Sequence, residues 1–288
     1  MGEDKGKRLL AVVAHPDDET FGCGGLLAKC AAEGVRVSLV CATRGEVGEI
    51  SDPSLATPEN LAEVREGELR QACAALGVEE LFLFGYRDSG MAGTADNENP
   101  RSLHQADTHR LTGEVAEIIR WVRPQVLLTF DANGGYGHPD HIAMHQATRQ
   151  AFAAAGDPAM YPEHLTNGVR PHQPTKLYYF VFTRSMVRTF HQALVESDVQ
   201  TDFRDMDPET IGVPDEEVTT VVDVSHYLEQ KERAGLCHCT QIQGDQVFEW
   251  IPEAVRTGFL SQEHLVRAEP PFALGRVMEG DIFDGVRV

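Results

Sequence analysis

The sequence predicts an α/β fold built on a mostly parallel, doubly wound sheet with helices on both faces, followed by a less regular C-terminal portion. Three observations carry that expectation. Residues 9–14 and 126–130 are uninterrupted apolar runs, the pattern of strands buried on both faces. Segments with helical apolar spacing alternate with the strand-like segments through residue 182. The chain, at 288 residues, is long enough to bury a sizeable core and suits a single domain, 1–288, with an α/β core over about 8–185 and an extension over about 186–288.

Taken in order, residues 9–14 form the first strand, 21–32 a helix stopped by Glu33 and Gly34, and 35–41 the second strand, which completes one βαβ unit. Residues 44–60 are polar with two prolines and follow a strand end, the place for an active-site loop. Residues 61–75 read as a helix ending at Gly77, 81–84 as the third strand, and 87–109 as a long loop rich in Gly, Asn and Asp. A helix over 111–122 is closed by Pro124, strand four spans 126–130, a helix runs from His138 to about Ala154, and strand five spans 177–182. Beyond that the pattern weakens. Residues 185–196 and 227–239 look helical and 218–223 looks like a strand. The irregular stretches 156–173 and 197–217 are long enough for a lid or for a subunit contact in a homo-oligomer.

Two stretches of the same grammar stand out. The first strand runs directly into His15-Pro16-Asp17-Asp18-Glu19, and the fourth into Asn133-Gly134-Gly135-Tyr136-Gly137-His138-Pro139-Asp140-His141. Each gives strand, turn, His-Pro-Asp and then a helix, so imidazoles and carboxylates gather above the carboxyl end of the sheet. In the doubly wound order 3-2-1-4-5, strands one and four are neighbours whose connections leave toward opposite faces, and the crevice between them is the usual place for ligands.

Composition narrows the class of partner. Twenty-five basic residues against 45 acidic ones give a net charge of -20, which repels nucleic acid and anionic membranes alike. No apolar run approaches the ~20 residues of a membrane span, and a charged N-terminus without a signal-type segment makes the cytoplasm the expected location. The six cysteines contain no Cys-x-x-Cys pair and read as reduced thiols. Cys237-His238-Cys239 has the wrong spacing for a zinc knuckle and reads as a semi-buried helix end.

A catalytic zinc site needs three protein ligands and an open water position. His15 and Asp18, three apart on one turn, can face one ion, and His141 arrives from the neighbouring strand. His141 with His145, four apart on one helix face, fits the spacing too, and ranks second because it leaves His138 and Asp140 without a task. Hydrolysis of an amide also needs a base and an acid. Asp17 is placed to be the base. His138 can stabilise the oxyanion and later give a proton to the amine, with Asp140 holding its orientation and Tyr136 adding a second donor. Two histidines and a carboxylate also suit Fe2+ as well as Zn2+. Arg44, Arg65, Arg87 and Asp88 taken alone read as surface or capping charges. A nucleotide-binding protein using Gly22 to Gly25 as a phosphate turn is disfavoured, because no full Gly-x-Gly-x-x-Gly is present and three acidic residues precede the glycines.

At Ala14-His15-Pro16-Asp17-Asp18-Glu19 and His138-Pro139-Asp140-His141 the sequence resembles the LmbE-like, or PIG-L, family of zinc-dependent de-N-acetylases. That resemblance implies a Rossmann-like fold, zinc on His15, Asp18 and His141, Asp17 as base and His138 as oxyanion stabiliser. Arg87-Asp88-Ser89-Gly90-Met91-Ala92-Gly93-Thr94 and Asn133-Gly134-Gly135-Tyr136-Gly137 look like the mycothiol-pathway branch, whose members deacetylate a glucosaminyl inositol or cleave mycothiol S-conjugates. By the same resemblance Glu49, Arg65 and Asp88 contact sugar hydroxyls and Tyr136 is an oxyanion partner. The expected substrate is an N-acetylglucosamine compound of inositol or malate type, and the alternative is a thiol-conjugate amidase using the same site. The likeness is strong over about residues 8–155 and weaker beyond, where His238-x-Thr240-Gln241 is the best match.

Overall fold

The computed structural model describes residues 6–196, 207–242, 253–272 and 278–287. Strands β1 (Arg8–Val13), β2 (Arg36–Thr43), β3 (Glu80–Tyr86), β4 (Val126–Phe130) and β5 (Lys176–Val181) are parallel, and β6 (Thr220–Asp223) and β7 (Gln262–Glu269) extend the sheet antiparallel beyond β5. The order is β3-β2-β1-β4-β5-β7-β6, so the predicted 3-2-1-4-5 arrangement stands and gains two strands at one edge. Register pairs Leu9 with Val126 and Ala11 with Leu128, which puts the ends of β1 and β4 side by side. Residues 9–14 are wholly buried, as their unbroken apolar run requires.

The α-helices among the described residues are α1 (Asp18–Ala32), α2 (Leu61–Leu76), α3 (Thr108–Val122), a single turn α4 (Gly134–Gly137), α5 (Pro139–Ala154), α6 (Arg184–Glu196), α7 (Leu228–Cys237) and α8 (Glu253–Leu260). Helix α1 starts three residues earlier than its apolar pattern suggests, because the Asp17 carbonyl already accepts the N–H groups of Thr20 and Phe21. It breaks at Cys23 (φ -153°, ψ 21°), and Glu263 from β7 caps the restart, accepting the N–H groups of Gly25 and Leu26 at 2.8 Å each. Lys231 neutralises that buried carboxylate at 2.7 Å. Gly22 and Gly25 lie where a Cβ would strike Phe180 and Val224, so these glycines serve close helix packing rather than phosphate binding.

The stretch 156–173 is neither lid nor loose connection. Arg120 on α3 donates to the carbonyls of Ala154, Ala155, Asp157, Met160 and Tyr161, and His172 bonds the carbonyl of Pro124 at 2.6 Å. These contacts fix it at the amino ends of β4 and β5, the end of the sheet opposite the two His-Pro-Asp turns. Of the other irregular stretch, 197–206 lies outside the described residues, and the remainder holds two short 3-10 turns, Pro208–Thr210 and Asp215–Glu217. No helix among the described residues is long and apolar enough to cross a membrane, and all six cysteines are free thiols.

Candidate metal centre and active site

Both His-Pro-Asp turns deliver their side chains to one point above β1 and β4. His15 Nδ1 lies 3.2 Å from His141 Nε2 and 3.5 Å from Asp18 Oδ2, and His141 Nε2 lies 3.2 Å from Asp18 Oδ1. A tetrahedral ion with bonds of about 2.0–2.1 Å separates its ligand atoms by roughly 3.3 Å, the size of this triangle. The distal ring nitrogens are also engaged as in metal sites. His15 Nε2 meets Asp140 Oδ2 at 3.0 Å, and His141 Nδ1 meets the Gly134 carbonyl at 3.0 Å, so each ring presents its other nitrogen to the centre. The donor set therefore fits a divalent cation.

Two overlapping groups, His15 with His138 and His141, and His15 with Asp88 and Asp140, also bring candidate atoms within 4.8 Å. They fit less well. His138 Nδ1 accepts the Asp140 N–H at 3.2 Å, and Asp140 is committed to His15 and to the N–H and hydroxyl of Ser89. His145 turns its Nδ1 to the Phe130 carbonyl at 2.9 Å, and it belongs to neither group.

The electrostatics match cation binding. Burial opposes the charge on Asp18, but His141 and His15 more than offset it and hold the carboxyl well below the usual range. Burial opposes protonation of His15, yet Asp88, Asp140 and Asp18 raise it well above an ordinary histidine. Asp17 behaves differently. Burial pushes its carboxyl up to about 6 against the pull of Arg65, with the charge of Asp18 adding to the rise. His138 is drawn down to about 4 by burial and by the neighbouring His15 and His141. With Nδ1 accepting a backbone N–H, its remaining proton sits on Nε2.

One expectation is corrected here. The carboxylate of Asp140 does not orient His138; it grips His15 and Ser89, and the backbone N–H of Asp140 is what holds His138. His138 is the N-cap of α5, and an N-cap side chain naturally accepts from the first turn of its own helix. Tyr136 lies half-buried with its ring 5.2 Å from that of His141 and 6.3 Å from that of His138, and burial raises its phenol.

Comparison with known proteins agrees with this geometry. Residues 10–152 match the family model described as PIG-L, GlcNAc-PI de-N-acetylase. A 1D-myo-inositol 2-acetamido-2-deoxy-alpha-D-glucopyranoside deacetylase of Thermobifida fusca is 44% identical over 253 residues, 82% of this chain and 84% of the relative. The chain belongs to the PIG-L family. A deacetylase of the same description from Geodermatophilus obscurus is 39% identical over 97% of this chain and 98% of its own. The fold is shared with the N,N'-diacetylchitobiose deacetylase of Pyrococcus horikoshii at a TM-score of 0.63 and 21% identity, covering 91% of this chain and 83% of that one.

Around the centre of this PIG-L chain, Asp88 is buried with Oδ1 3.5 Å from His15 Nε2, and accepts the N–H of Gly90 at 2.8 Å. Its carboxyl is held well below the usual range, burial being outweighed by His15. Arg65 is 3% exposed and spends both terminal nitrogens on the protein, meeting the carbonyls of Gly45 (2.8 Å) and Pro16 (2.6 Å) and Asp17 Oδ2 (3.0 Å). The structure thus commits its guanidinium to Asp17 and to two backbone carbonyls. Glu49 is exposed, and its carbonyl accepts from Gln241 at 3.0 Å.

Sequence reasoning places Ser89, Glu19 and His238 within motifs but gives them no task of their own. Ser89 lies inside the 87–94 run, and a hydroxyl among glycines gave no separate signal. Glu19 and His238 are both fully buried, and His238 Nε2 meets Glu19 Oε1 at 2.8 Å. The semi-buried helix end expected at 237–239 is right for the half-buried Cys237 and exposed Cys239, and wrong for the histidine between them.

Proposed function

We propose that this PIG-L chain is a zinc-dependent hydrolase that removes the acetyl group from the glucosamine nitrogen of an N-acetylglucosaminyl inositol, releasing acetate and a free amine. The observation that carries it is the donor triangle of His15, Asp18 and His141, with Asp17 adjoining Asp18 in the chain and the His138 ring 4.6 Å from that of His15, in a chain whose relatives carry that activity in their names. Zn2+ is favoured over Fe2+ for two nitrogens and one oxygen at tetrahedral spacing. A divalent cation held there would polarise the acetyl carbonyl and acidify an attacking water.

The side chains supply the remaining steps. Asp17, with its carboxyl raised to about 6, is ionised at neutral pH and takes one proton from the attacking water. The water oxygen bonds to the carbonyl carbon, and His138 Nε2–H donates a hydrogen bond to the developing oxyanion, with the Tyr136 hydroxyl as a second donor. Because His138 stays neutral down to about 4, it offers a hydrogen bond, and the proton that the sequence reading expects it to give the amine is assigned to Asp17 instead. The proton carried by Asp17 then goes to the nitrogen as the C–N bond breaks. Glu49 and Asp88 are assigned to sugar hydroxyls, Arg65 to holding Asp17, and Asp140 to orienting His15. The extension beyond residue 186 belongs to the same working domain, and the enzyme acts in the cytoplasm on a small amino sugar, without nucleic acid or membrane.

The test is amine release from the inositol-linked N-acetyl sugar by metal-free protein reloaded with Zn2+ or Fe2+. Turnover restored by Zn2+ on that sugar is expected. Turnover confined to a thiol conjugate would overturn the deacetylase reading, and turnover restored only by Fe2+ would overturn the assignment of zinc.

A further inference from the structure

Asp17 is held in an unusual backbone conformation, φ 117° and ψ -31°, which side-chain-bearing residues rarely adopt. Its carboxylate is steadied by Arg65, but its main chain depends on Glu19, whose Oε2 accepts the Asp17 N–H at 2.9 Å. Glu19 has no place in the donor triangle and yet is completely buried. A buried carboxylate is costly unless donors surround it. Glu19 has three: the Asp17 N–H, the Thr20 hydroxyl and His238 Nε2.

His238 comes from outside the span of the family model. It ends α7 and is itself fully buried, with Nδ1 unpartnered among the described residues, so Glu19 is its one side-chain partner there. The residues after it are anchored separately. Thr240 gives its N–H and hydroxyl to Glu68 on α2 at 2.8 and 2.7 Å, and its carbonyl accepts the Ser51 N–H at 2.8 Å. The segment therefore stays docked without the histidine, and the His238 ring is free to serve Glu19.

We propose that His238 is a positioning residue for hydrolysis, holding the Glu19 carboxylate where it fixes the strained backbone of Asp17 and so aims that carboxylate at the reacting centre. The proposal rests on Asp17 being the base. Without the imidazole, Glu19 loses one of three donors, shifts to recover another, and releases the Asp17 N–H. The strained backbone then relaxes and the base moves. Misplacing a catalytic group by about 1 Å costs on the order of 100-fold in rate while leaving substrate contacts intact.

The experiment compares wild type, His238→Ala, His238→Gln and Asp17→Asn as zinc-loaded enzymes, measuring kcat and KM for amine release from 1D-myo-inositol 2-acetamido-2-deoxy-alpha-D-glucopyranoside together with bound metal. His238→Ala is expected to keep its metal and its KM within about 2-fold and to lose kcat by roughly 10- to 100-fold, with His238→Gln, whose amide can reach Glu19, recovering most of it. If His238→Ala does not fold, His238→Asn, too short to reach Glu19, takes its place. An unchanged kcat in the Ala or Asn variant overturns the proposal, as does an equal loss in His238→Gln or a loss that follows metal content. Normal turnover by Asp17→Asn overturns the base assignment instead, so the two failures are distinct.

Discussion

The two His-Pro-Asp turns share a sequence pattern and solve opposite problems. After β1 the positive φ falls on Asp17, a residue whose side chain is needed, and the turn is braced from outside by Arg65 directly and by His238 through Glu19. After β4 the positive φ values fall on Gly134, Gly135 and Gly137, and the turn braces itself, Asp131 accepting the N–H groups of Asn133 (2.8 Å) and Gly135 (3.0 Å) while His138 caps α5 from an ordinary φ of -64°. The first turn therefore stores strain at a chemical group, and the second confines it to residues that tolerate it.

The largest effects treat the turns alike. Asp18→Ala and His141→Ala each remove one corner of the donor triangle, and both are expected to lose the metal and more than about 1,000-fold in turnover, read by elemental analysis beside amine release. Full occupancy in His141→Ala would return His145 to consideration. Next, Asp17→Asn should keep the metal and lose roughly 100- to 10,000-fold in kcat. His138→Ala should lose somewhat less, about 100- to 1,000-fold, together with about 1 kcal/mol of stability from the missing N-cap, measured by thermal melting. A His138 variant as stable as wild type would break the view that the second turn is self-braced.

The pH profile separates the turns further. Asp17 must be ionised to act, so kcat/KM falls as pH drops through its carboxyl value. Burial working against Arg65 sets that near 6, and a neighbouring cation draws it lower, so the acidic limb lies no higher than about 6. His138, held neutral down to about 4, contributes no limb between pH 6 and 8. A limb above 7 removed by His138→Ala would show the imidazole titrating in catalysis. Smallest of all, Gly137→Ala, at φ 93° with open space around its added Cβ, should cost about 1–2 kcal/mol through backbone strain alone.

The sheet order and the donor triangle were legible because both rest on short-range patterns: an unbroken apolar strand, then a turn whose proline and glycines mark it. Strand β4 has the predicted bounds, Val126–Phe130. Strand β7 was not foreseen, because its buried face carries Glu263 and Arg267 on either side of Leu265, and charges normally mark an exposed face. Glu263 is spent on the broken α1 helix more than 200 positions earlier and on Lys231, and Arg267 on Glu279, 12 positions on in the segment that follows β7. His238 was hidden in the same way. A histidine between two cysteines advertises metal, whereas its partner is a glutamate 219 positions away.

The cap that Glu263 provides to α1 has a consequence for biosynthesis. The helix that opens with Asp18 is synthesised more than 200 residues ahead of the groups that complete its restart and steady its first turn, Glu263 and His238. Until β7 is made and docks against β5, the N–H groups of Gly25 and Leu26 lack that carboxylate. A fragment ending near residue 152 would hold every corner of the donor triangle but would lack both the carboxylate that caps the helix carrying Asp18 and the imidazole that meets Glu19.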